Sequence, residues 1–156
     1  MKNSKGKNLQ FKGKPYRFAI IAARYNEKLM EELLRNTQET LQHLGVLAQN
    51  IEIVRVPGAL ELPLMALKLS VRRARKFDAI IALGIVIKGE TAHFEYVSEH
   101  CYRGLMEVSL QTQIPIVFGV LTTYTLKQAQ ERTSKKAQNK GKEYAEAAIE
   151  MVQKLR

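Results

Sequence analysis

The sequence predicts an α/β fold, specifically a three-layer α/β/α sandwich around a four-stranded parallel sheet. Apolar runs of strand length alternate four times with amphipathic helical segments along the chain. The third run, residues 78–87, is too apolar to have a solvent-facing side, which is typical of an interior strand in a parallel sheet. Strands separated by helices of this length also imply right-handed crossovers, with helices covering both faces of the sheet.

The first two strand–helix units follow the lysine-rich start of the chain. Residues 17–23 are a short apolar run that predicts a strand, and Asn26 is expected to cap a helix that Gly45 ends. Residues 50–56 are rich in β-branched side chains and predict the second strand. After a Pro-Gly turn, residues 61–76 carry apolar side chains at helical spacing, so they predict the second helix.

The last two units complete the sheet. Residues 78–87 predict the third strand, and residues 92–111 predict the helix after it. Residues 114–121 are the fourth apolar run, and two helices are predicted beyond it, at 126–137 and 140–155. This order of elements is typical of a flavodoxin-like fold.

Length and composition are those of one globular domain. The 156 residues are 46% hydrophobic, and no apolar stretch approaches the roughly 20 residues that cross a bilayer, so no membrane association is expected. We divide the chain into a basic, flexible N-terminal segment, residues 1–14, and a single domain, residues 15–156. The one cysteine, Cys101, cannot form an intrachain disulfide, and the sequence offers no thiolate cluster for zinc. These features favour a reducing, cytoplasmic location and no metal site.

The net charge of +10 suggests nucleic acid as a partner, because basic proteins release counterions from phosphate backbones. The position of the charges argues against it. Five lysines lie in residues 1–14, and Arg72, Arg73, Arg75 and Lys76 are expected to close a helix, where cations complement the dipole. Neither cluster interleaves with aromatic side chains, so no specific nucleic-acid binding is predicted. A polyanion-binding module stays open as an alternative, which a steep fall of affinity with salt would identify.

The turn after the third strand carries the strongest signal for chemistry, because parallel sheets bind ligands at the carboxyl ends of their strands. We interpret Gly89 as a residue that permits a backbone conformation closed to other side chains. Thr91 is interpreted as the N-cap of the next helix, whose free amides favour a phosphate or carboxylate. His93 lies in the first helical turn, where the helix dipole favours a neutral imidazole that can accept a proton. An anion site beside a proton carrier indicates chemistry on a phosphorylated substrate.

The turns after the other strands share the same edge of the sheet. Tyr25 offers an aromatic face for a planar heterocycle, and the amide of Asn26 can hydrogen-bond a polyol. Glu61 follows the Pro-Gly turn at a helix start, where its favourable interaction with the helix dipole is the better explanation when this residue is considered alone. Beyond the fourth strand, Arg132 and Lys140 are cations suited to phosphate, although solvation is the usual state of such side chains. No G-x-G-x-x-G or G-x-x-x-x-G-K-[ST] motif occurs, so dinucleotide and triphosphate cofactors are not expected.

Five short stretches of the chain follow one another in a characteristic order. They are RYN at residues 24–26, VPGALELP at 56–63, LGIVIKGETAHFEYV at 83–97, FGVLT at 118–122 and NKG at 139–141. With this order and spacing, the chain resembles the 6,7-dimethyl-8-ribityllumazine synthase family. The resemblance implies a transferase that condenses 5-amino-6-(D-ribitylamino)uracil with 3,4-dihydroxy-2-butanone 4-phosphate. The products would be 6,7-dimethyl-8-ribityllumazine, phosphate and water, in the penultimate step of riboflavin biosynthesis, without cofactor or metal.

The resemblance also implies which residues bind the pyrimidine and its ribityl chain. Tyr25 would stack on the pyrimidine ring. This position commonly holds phenylalanine or tryptophan in the family, so stacking is kept but the hydroxyl needs a partner. The residues on the ribityl side would be Asn26, Ala59, Leu60 and Glu61. The polar edge of the heterocycle would meet the backbone of Val86 and Ile87.

The phosphate side of the site is implied in the same way. Gly89, Glu90 and Thr91 would hold the phosphate, and His93 would relay protons. Glu90 departs from the expected pattern because it places a carboxylate in the phosphate cradle, which requires its side chain to point away. Three further positions would reach the site from the adjacent subunit, and they are Phe118, Arg132 and Lys140.

A site shared between subunits implies a homo-oligomer. By resemblance, the assembly is a pentamer, which in this family also pairs or closes into icosahedral shells of sixty copies. A closed shell is slightly favoured here, and riboflavin synthase is a candidate partner for it. The N-terminal segment could also add a strand to the sheet of a neighbouring subunit.

Two further functions stay open beside this one. A riboflavin synthase of the same fold would dismutate the lumazine, and supplying lumazine alone would reveal it. A binding or shell-forming protein without catalysis would bind the substrates and release no product.

Overall fold

The computed structural model describes residues 15–156, in which four parallel strands form one sheet covered by five α-helices. The strands are β1 (Phe18–Ala23), β2 (Ile51–Val56), β3 (Ala79–Ile87) and β4 (Ile116–Thr123), and their order in the sheet is β2-β1-β3-β4. The helices are α1 (Glu27–His43), α2 (Leu62–Ser70), α3 (His93–Thr112), α4 (Leu126–Thr133) and α5 (Lys140–Lys154). Short 3₁₀ turns precede β2 and α2, at Ala48–Asn50 and Ala59–Glu61. The predicted flavodoxin-like α/β/α sandwich is confirmed.

Side chains alternate along the strands and form a hydrophobic core on each face of the sheet. In β1, Phe18 and Ile20 face α1 and α5, whereas Ala19 and Ile21 face α2 and α3. All of β1 and the first seven residues of β3 are buried. A strand that is buried on both faces needs a continuous apolar run, which is the pattern from which these strands were predicted.

Helix α1 has the predicted buried face and the predicted end. Met30, Leu33 and Leu41 are fully buried, and Gly45 follows the helix with a φ of 103°, a conformation that favours glycine. Asn36, in the middle of α1, is also buried, and its Nδ2 donates a hydrogen bond of 2.8 Å to the carbonyl oxygen of Thr133. This bond holds the end of α4 against α1.

The strand order places a change of direction between β1 and β3. The chain runs from β1 outward to β2 and then returns past β1 to β3, so the turns that leave β1 and β3 diverge at the carboxyl edge. The register pairs Ala22 with both Arg55 and Leu83, and the ends of the three strands are therefore close to one level. Open parallel sheets bind ligands at such a switch point.

The second helix is shorter than predicted. Helix α2 ends at Ser70 rather than at residue 76, so the basic cluster lies beyond the helix and does not complement its dipole. Arg72 instead forms two hydrogen bonds with Glu52, of 3.0 and 2.8 Å, and lies over the ring of Phe77. The hydrogen bond from Arg72 lowers the pKa of Glu52. The segment after α2 is therefore held against the sheet by the bonds between Arg72 and Glu52 of β2 and by the buried ring of Phe77, instead of continuing the helix.

Two other elements differ from the prediction by two residues or more. Strand β4 begins and ends two residues later than expected, because its pairing with β3 continues to Ile87 and Thr123. Helix α4 ends at Thr133 rather than at residue 137, because Ser134 adopts an extended conformation. The hydrogen bond from Asn36 satisfies the carbonyl oxygen of Thr133, which has no partner within α4 because the helix ends there.

Two expectations concern residues 1–14, which lie outside the described residues. They are the basic, flexible segment and the added strand that it would contribute to a neighbouring subunit.

The described residues also bear on thiol, metal and membrane chemistry. Cys101 is a buried free thiol, and burial raises its pKa to about 11. Within residues 15–156, no three or more His, Cys, Asp or Glu side chains are grouped so that they could hold a metal ion. None of the described helices combines the length and the apolar composition that crossing a bilayer requires.

Gly141→Ala is expected to destabilise the fold by about 1 to 3 kcal/mol, because overpacking of a close contact forces neighbouring backbones apart. A Cβ atom at this position of α5 would lie 2.8 Å from the carbonyl oxygen of Leu33 and 2.9 Å from the amide nitrogen of Thr37. Thermal and urea unfolding at one fixed protein concentration measure the effect. Gly89→Ala is the matched control, since its Cβ would meet no atom within 4 Å. Equal stability of the two variants would contradict this prediction.

Candidate active site

A cleft of about 400 Å³ opens at the carboxyl edge of the sheet, beside the switch point between β1 and β3. Three separate segments line it: the turn after β1, the turn after β2, and the end of β3 with the first turn of α3. The predicted site residues that line it are Tyr25, Asn26, Ala59, Leu60, Glu61, Val86, Ile87 and His93. The structure thus brings the predicted pyrimidine and ribityl positions together with the histidine.

Tyr25 lies at the rim of this cleft. Its side chain follows directly on β1 and is 75% exposed, although it is a large aromatic residue. An exposed ring at a cleft has a free face on which a planar heterocycle can stack.

Asn26 is the N-cap residue of α1, as predicted, but its side chain does not form the cap. It adopts a left-handed conformation with a φ of 60°, and no side-chain cap hydrogen bond forms. Its Nδ2 instead donates to the carbonyl oxygen of Ile85 at 2.9 Å. This bond ties the end of β1 to the end of β3 across the switch point and holds the amide group in the cleft, with its oxygen uncommitted by that bond.

Glu61, in the turn after β2, also lines the cleft. The turn Ala59–Glu61 is held by a hydrogen bond of 2.8 Å from the backbone amide of Gly58 to Oε2 of Glu61. One carboxylate oxygen therefore stabilises the turn through a capping-box bond, so Glu61 has a structural role, although not only the predicted one with the helix dipole. The side chain is nevertheless exposed to the cleft, where the other oxygen can accept a hydrogen bond from a hydroxyl group.

The turn after β3 differs in two details from the prediction. Helix α3 begins at His93 with Ala92 as the N-cap residue, and the hydroxyl of Thr91 accepts only a long bond of 3.4 Å from the amide of His93. Gly89 has no positive φ, and a Cβ there would lie in open space, so glycine is not required for its conformation. The N-cap residue Ala92 makes no side-chain cap hydrogen bond, and the amide of Glu95 is hydrogen-bonded to its own carboxylate. The positive end of the helix dipole still favours an anion here.

Gly89, Glu90 and Thr91 are exposed next to the cleft but are not among the residues that line it. The carboxylate of Glu90 therefore has access to solvent. His93, the first residue of α3, does line the cleft, and Val97 follows it one turn later on the same helix face. His93 thus brings the N-terminus of α3 to the cleft.

Phe118, Arg132 and Lys140 do not line this cleft. Phe118, on the edge strand β4, is half-buried with its ring centroid 5.9 Å from that of Tyr102. Arg132 donates from Nη1 to the carbonyl oxygen of Gln128 at 3.1 Å. Lys140 pairs with Glu143 at 2.7 Å. These three residues belong to the β4, α4 and α5 side of the molecule.

Four residues that line the cleft were missing from the predicted set: Pro57, Gly58, Ile85 and Val97. Two of them have a periodic signal in the sequence. Ile85 precedes Ile87 by two residues and therefore lies on the same face of β3, and Val97 follows His93 by four residues on α3. The period of two along a strand and of about four along a helix, counted from Ile87 and His93, therefore predicts that Ile85 and Val97 also face the site.

The comparison with known protein families agrees with the sequence resemblance. A family model described as 6,7-dimethyl-8-ribityllumazine synthase matches residues 15–156, which is all of the chain that the structure describes. The match includes every segment that forms the cleft. The chain therefore belongs to the 6,7-dimethyl-8-ribityllumazine synthase family, whose members are transferases that make lumazine in riboflavin biosynthesis.

Proposed function

We propose that the chain condenses 5-amino-6-(D-ribitylamino)uracil with 3,4-dihydroxy-2-butanone 4-phosphate in the cleft between β1 and β3. The observation that supports this best is the convergence of Tyr25, Glu61 and His93, which come from three separate segments and line one cleft. Its volume of about 400 Å³ is in the ordinary range for small-molecule sites. A stacking face, hydrogen-bonding groups and a proton carrier are the parts that this condensation needs.

The pyrimidine occupies the wall formed by β1 and β3. Its ring stacks on the exposed face of Tyr25, and its polar edge meets backbone groups at Val86 and Ile87. The ribityl hydroxyls lie along the second wall, between the amide oxygen of Asn26 and the free carboxylate oxygen of Glu61. Ala59 and Leu60 form the apolar part of that wall.

The phosphorylated substrate binds at the start of α3. The positive end of the helix dipole and the turn Gly89, Glu90 and Thr91 favour its phosphate, and the exposed Glu90 side chain lies in solvent. His93 lies between this turn and the rest of the cleft. It is therefore placed to move protons between the two substrates.

The reaction asks the protein mainly for orientation and proton transfer. The 5-amino group attacks the ketone carbon and water leaves as the imine forms; rearrangement expels phosphate, and ring closure releases a second water. Holding two reactants in contact can lower a bimolecular barrier by roughly 7 to 11 kcal/mol in ideal cases. A positioned base such as His93 adds typically about 10²- to 10⁴-fold.

The site is completed by an adjacent copy of the chain. Members of this family are oligomeric. Phe118, Arg132 and Lys140 lie away from their own cleft, and α2 and α3 expose the apolar side chains of Leu64 and Leu110. We propose that these helices pack against a neighbouring copy and that the neighbour supplies the phosphate-binding cation Arg132. A pentamer is the proposed unit, which can extend to a sixty-subunit shell with riboflavin synthase as a candidate for enclosure.

Size-exclusion chromatography with light scattering, combined with a lumazine absorbance assay on each fraction, tests function and assembly together. We expect lumazine and inorganic phosphate in equal amounts when both substrates are present, and only in fractions of oligomeric mass. Omitting either substrate should abolish the signal. Activity in a monomer fraction would overturn the shared site. Riboflavin formed from lumazine alone, or substrate binding without product, would overturn the proposed reaction.

A further inference from the structure

An ion pair encloses the turn that carries the proposed phosphate site. Lys88 is the residue after β3, and its Nζ lies 3.2 Å from Oε1 of Glu95 in the first turn of α3. The chain between the two partners consists of residues 89–94. The pair therefore fastens the two ends of the segment that contains the anion-binding turn and His93.

Tyr124, in the turn after β4, supports this ion pair from the other side. Its ring centroid lies 5.5 Å from Nζ of Lys88 and 6.0 Å from the ring centroid of Phe94. The backbone amide of Lys88 also donates to the carbonyl oxygen of Thr123 at 2.9 Å. The ion pair with Glu95, the contact with the Tyr124 ring and the backbone hydrogen bond to Thr123 therefore fix the position of Lys88 relative to β3 and β4.

The turn itself has little internal support. Gly89 has no atom within 4 Å of where a Cβ would lie, and the hydroxyl of Thr91 makes only the 3.4 Å contact with the amide of His93. The N-cap residue of the helix that follows, Ala92, makes no side-chain cap hydrogen bond. A segment with so few contacts of its own depends on what holds its ends.

We propose that Lys88 and Glu95 are positioning residues, which hold the turn 89–92 and His93 in the geometry that binds the phosphate of the substrate. This inference rests on the proposed function. The pair contributes little to folding, because Lys88 and Glu95 are 43% and 53% exposed and exposed ion pairs are weak. Its effect is therefore on the alignment of a weakly supported turn rather than on the stability of the fold.

The carboxylate of Glu95 is well suited to this place. Its pKa is lowered first by a hydrogen bond from its own backbone amide and then by Lys88, so it stays ionised at neutral pH. Near the helix N-terminus it also complements the helix dipole. Glu95→Gln removes the charge and keeps the shape of the side chain, which makes it a sharp test.

The experiment compares Lys88→Met and Glu95→Gln with the unaltered oligomer. We expect each variant to raise KM for the butanone phosphate about 2- to 5-fold, the effect of losing one exposed ion pair, and to leave KM for the pyrimidine unchanged. The double variant should resemble the single ones, because both remove the same interaction. Lys88→Arg keeps the charge and should restore the original KM.

Amide hydrogen exchange provides a readout that does not depend on activity. Peptides that cover residues 89–93 should exchange faster in both variants and at the original rate in Lys88→Arg. Glu150→Gln is the control, because the Glu150–Lys154 pair is similarly exposed, 51% and 63%, but lies on α5 away from the turn. It should change neither KM nor exchange.

Two results would overturn the positioning role. One is unchanged exchange at residues 89–93 in both variants. The other is faster exchange with equal changes in the KM of both substrates. If the unaltered oligomer makes no lumazine, the proposed function fails, whereas the exchange measurement still decides whether this ion pair holds the turn.

Discussion

His93→Ala is expected to lower kcat about 10²- to 10⁴-fold and to leave measurable turnover, since a positioned base contributes that much while orientation of the substrates survives. His93 lies at the start of α3, where it lines the cleft but supports none of the other walls. The KM values of both substrates should therefore change little. Stopped-flow and steady-state lumazine absorbance measure this split.

His100→Ala is the matched control for this variant. His100 lies on the same helix and stacks on Tyr96, with ring centroids 6.4 Å apart, but it does not line the cleft. It should retain the original kcat. Loss of all detectable turnover in a correctly assembled His93→Ala oligomer would contradict the prediction. It would show that substrate orientation contributes less to the rate than proton transfer by His93.

Arg132→Ala is expected to raise KM for the butanone phosphate about 10- to 100-fold, because a hydrogen-bonded charge on phosphate is lost, and to spare KM for the pyrimidine. Lys136→Ala, which removes an exposed cation from the segment after α4, should leave both KM values unchanged. An unaltered KM for the phosphorylated substrate in Arg132→Ala would remove this residue from the phosphate site.

Mixed assemblies decide whether Arg132 acts across a subunit interface. A cleft that takes His93 from one copy and Arg132 from its neighbour is intact only where both happen to be unaltered. When the His93→Ala and Arg132→Ala chains are denatured together and reassembled in equal amounts, about a quarter of the clefts should be intact. Activity that stays at the level of the separate variants would show that both residues serve the cleft of their own chain.

The sequence predicted the fold from patterns that local physics controls. Strand β3 is buried on both faces, so its continuous apolar run could only belong inside a parallel sheet. Helix α1 buries one stripe and ends at a glycine with positive φ, and both features are visible as spacing and residue type. The turn residues after β1, β2 and β3 were predicted to share an edge because parallel strands end together.

The predictions that failed depended on partners distant in sequence. The basic cluster after α2 resembles a helix end, but the bonds between Arg72 and Glu52 draw it onto β2. Asn26 does occupy the N-cap position of α1, but its side chain does not form the cap, and its amide instead donates to the carbonyl oxygen of Ile85, 59 residues away. Neither partner can be identified from local pattern. Lys88 and Glu95 were not singled out for the same reason, since their pairing requires the path of the intervening turn.

Helix α1 constrains how this protein can be redesigned. This 17-residue helix is about 25 Å long and stiff. It begins directly after Tyr25 and Asn26, and in its middle Asn36 donates a hydrogen bond to the carbonyl oxygen of Thr133, the residue after Arg132. Tilting its start to admit a bulkier heterocycle would also shift Arg132, the cation that we propose binds phosphate in the next copy. Substrate range is therefore better altered from β3 and the turn before α2, where a change of shape stays within one pocket.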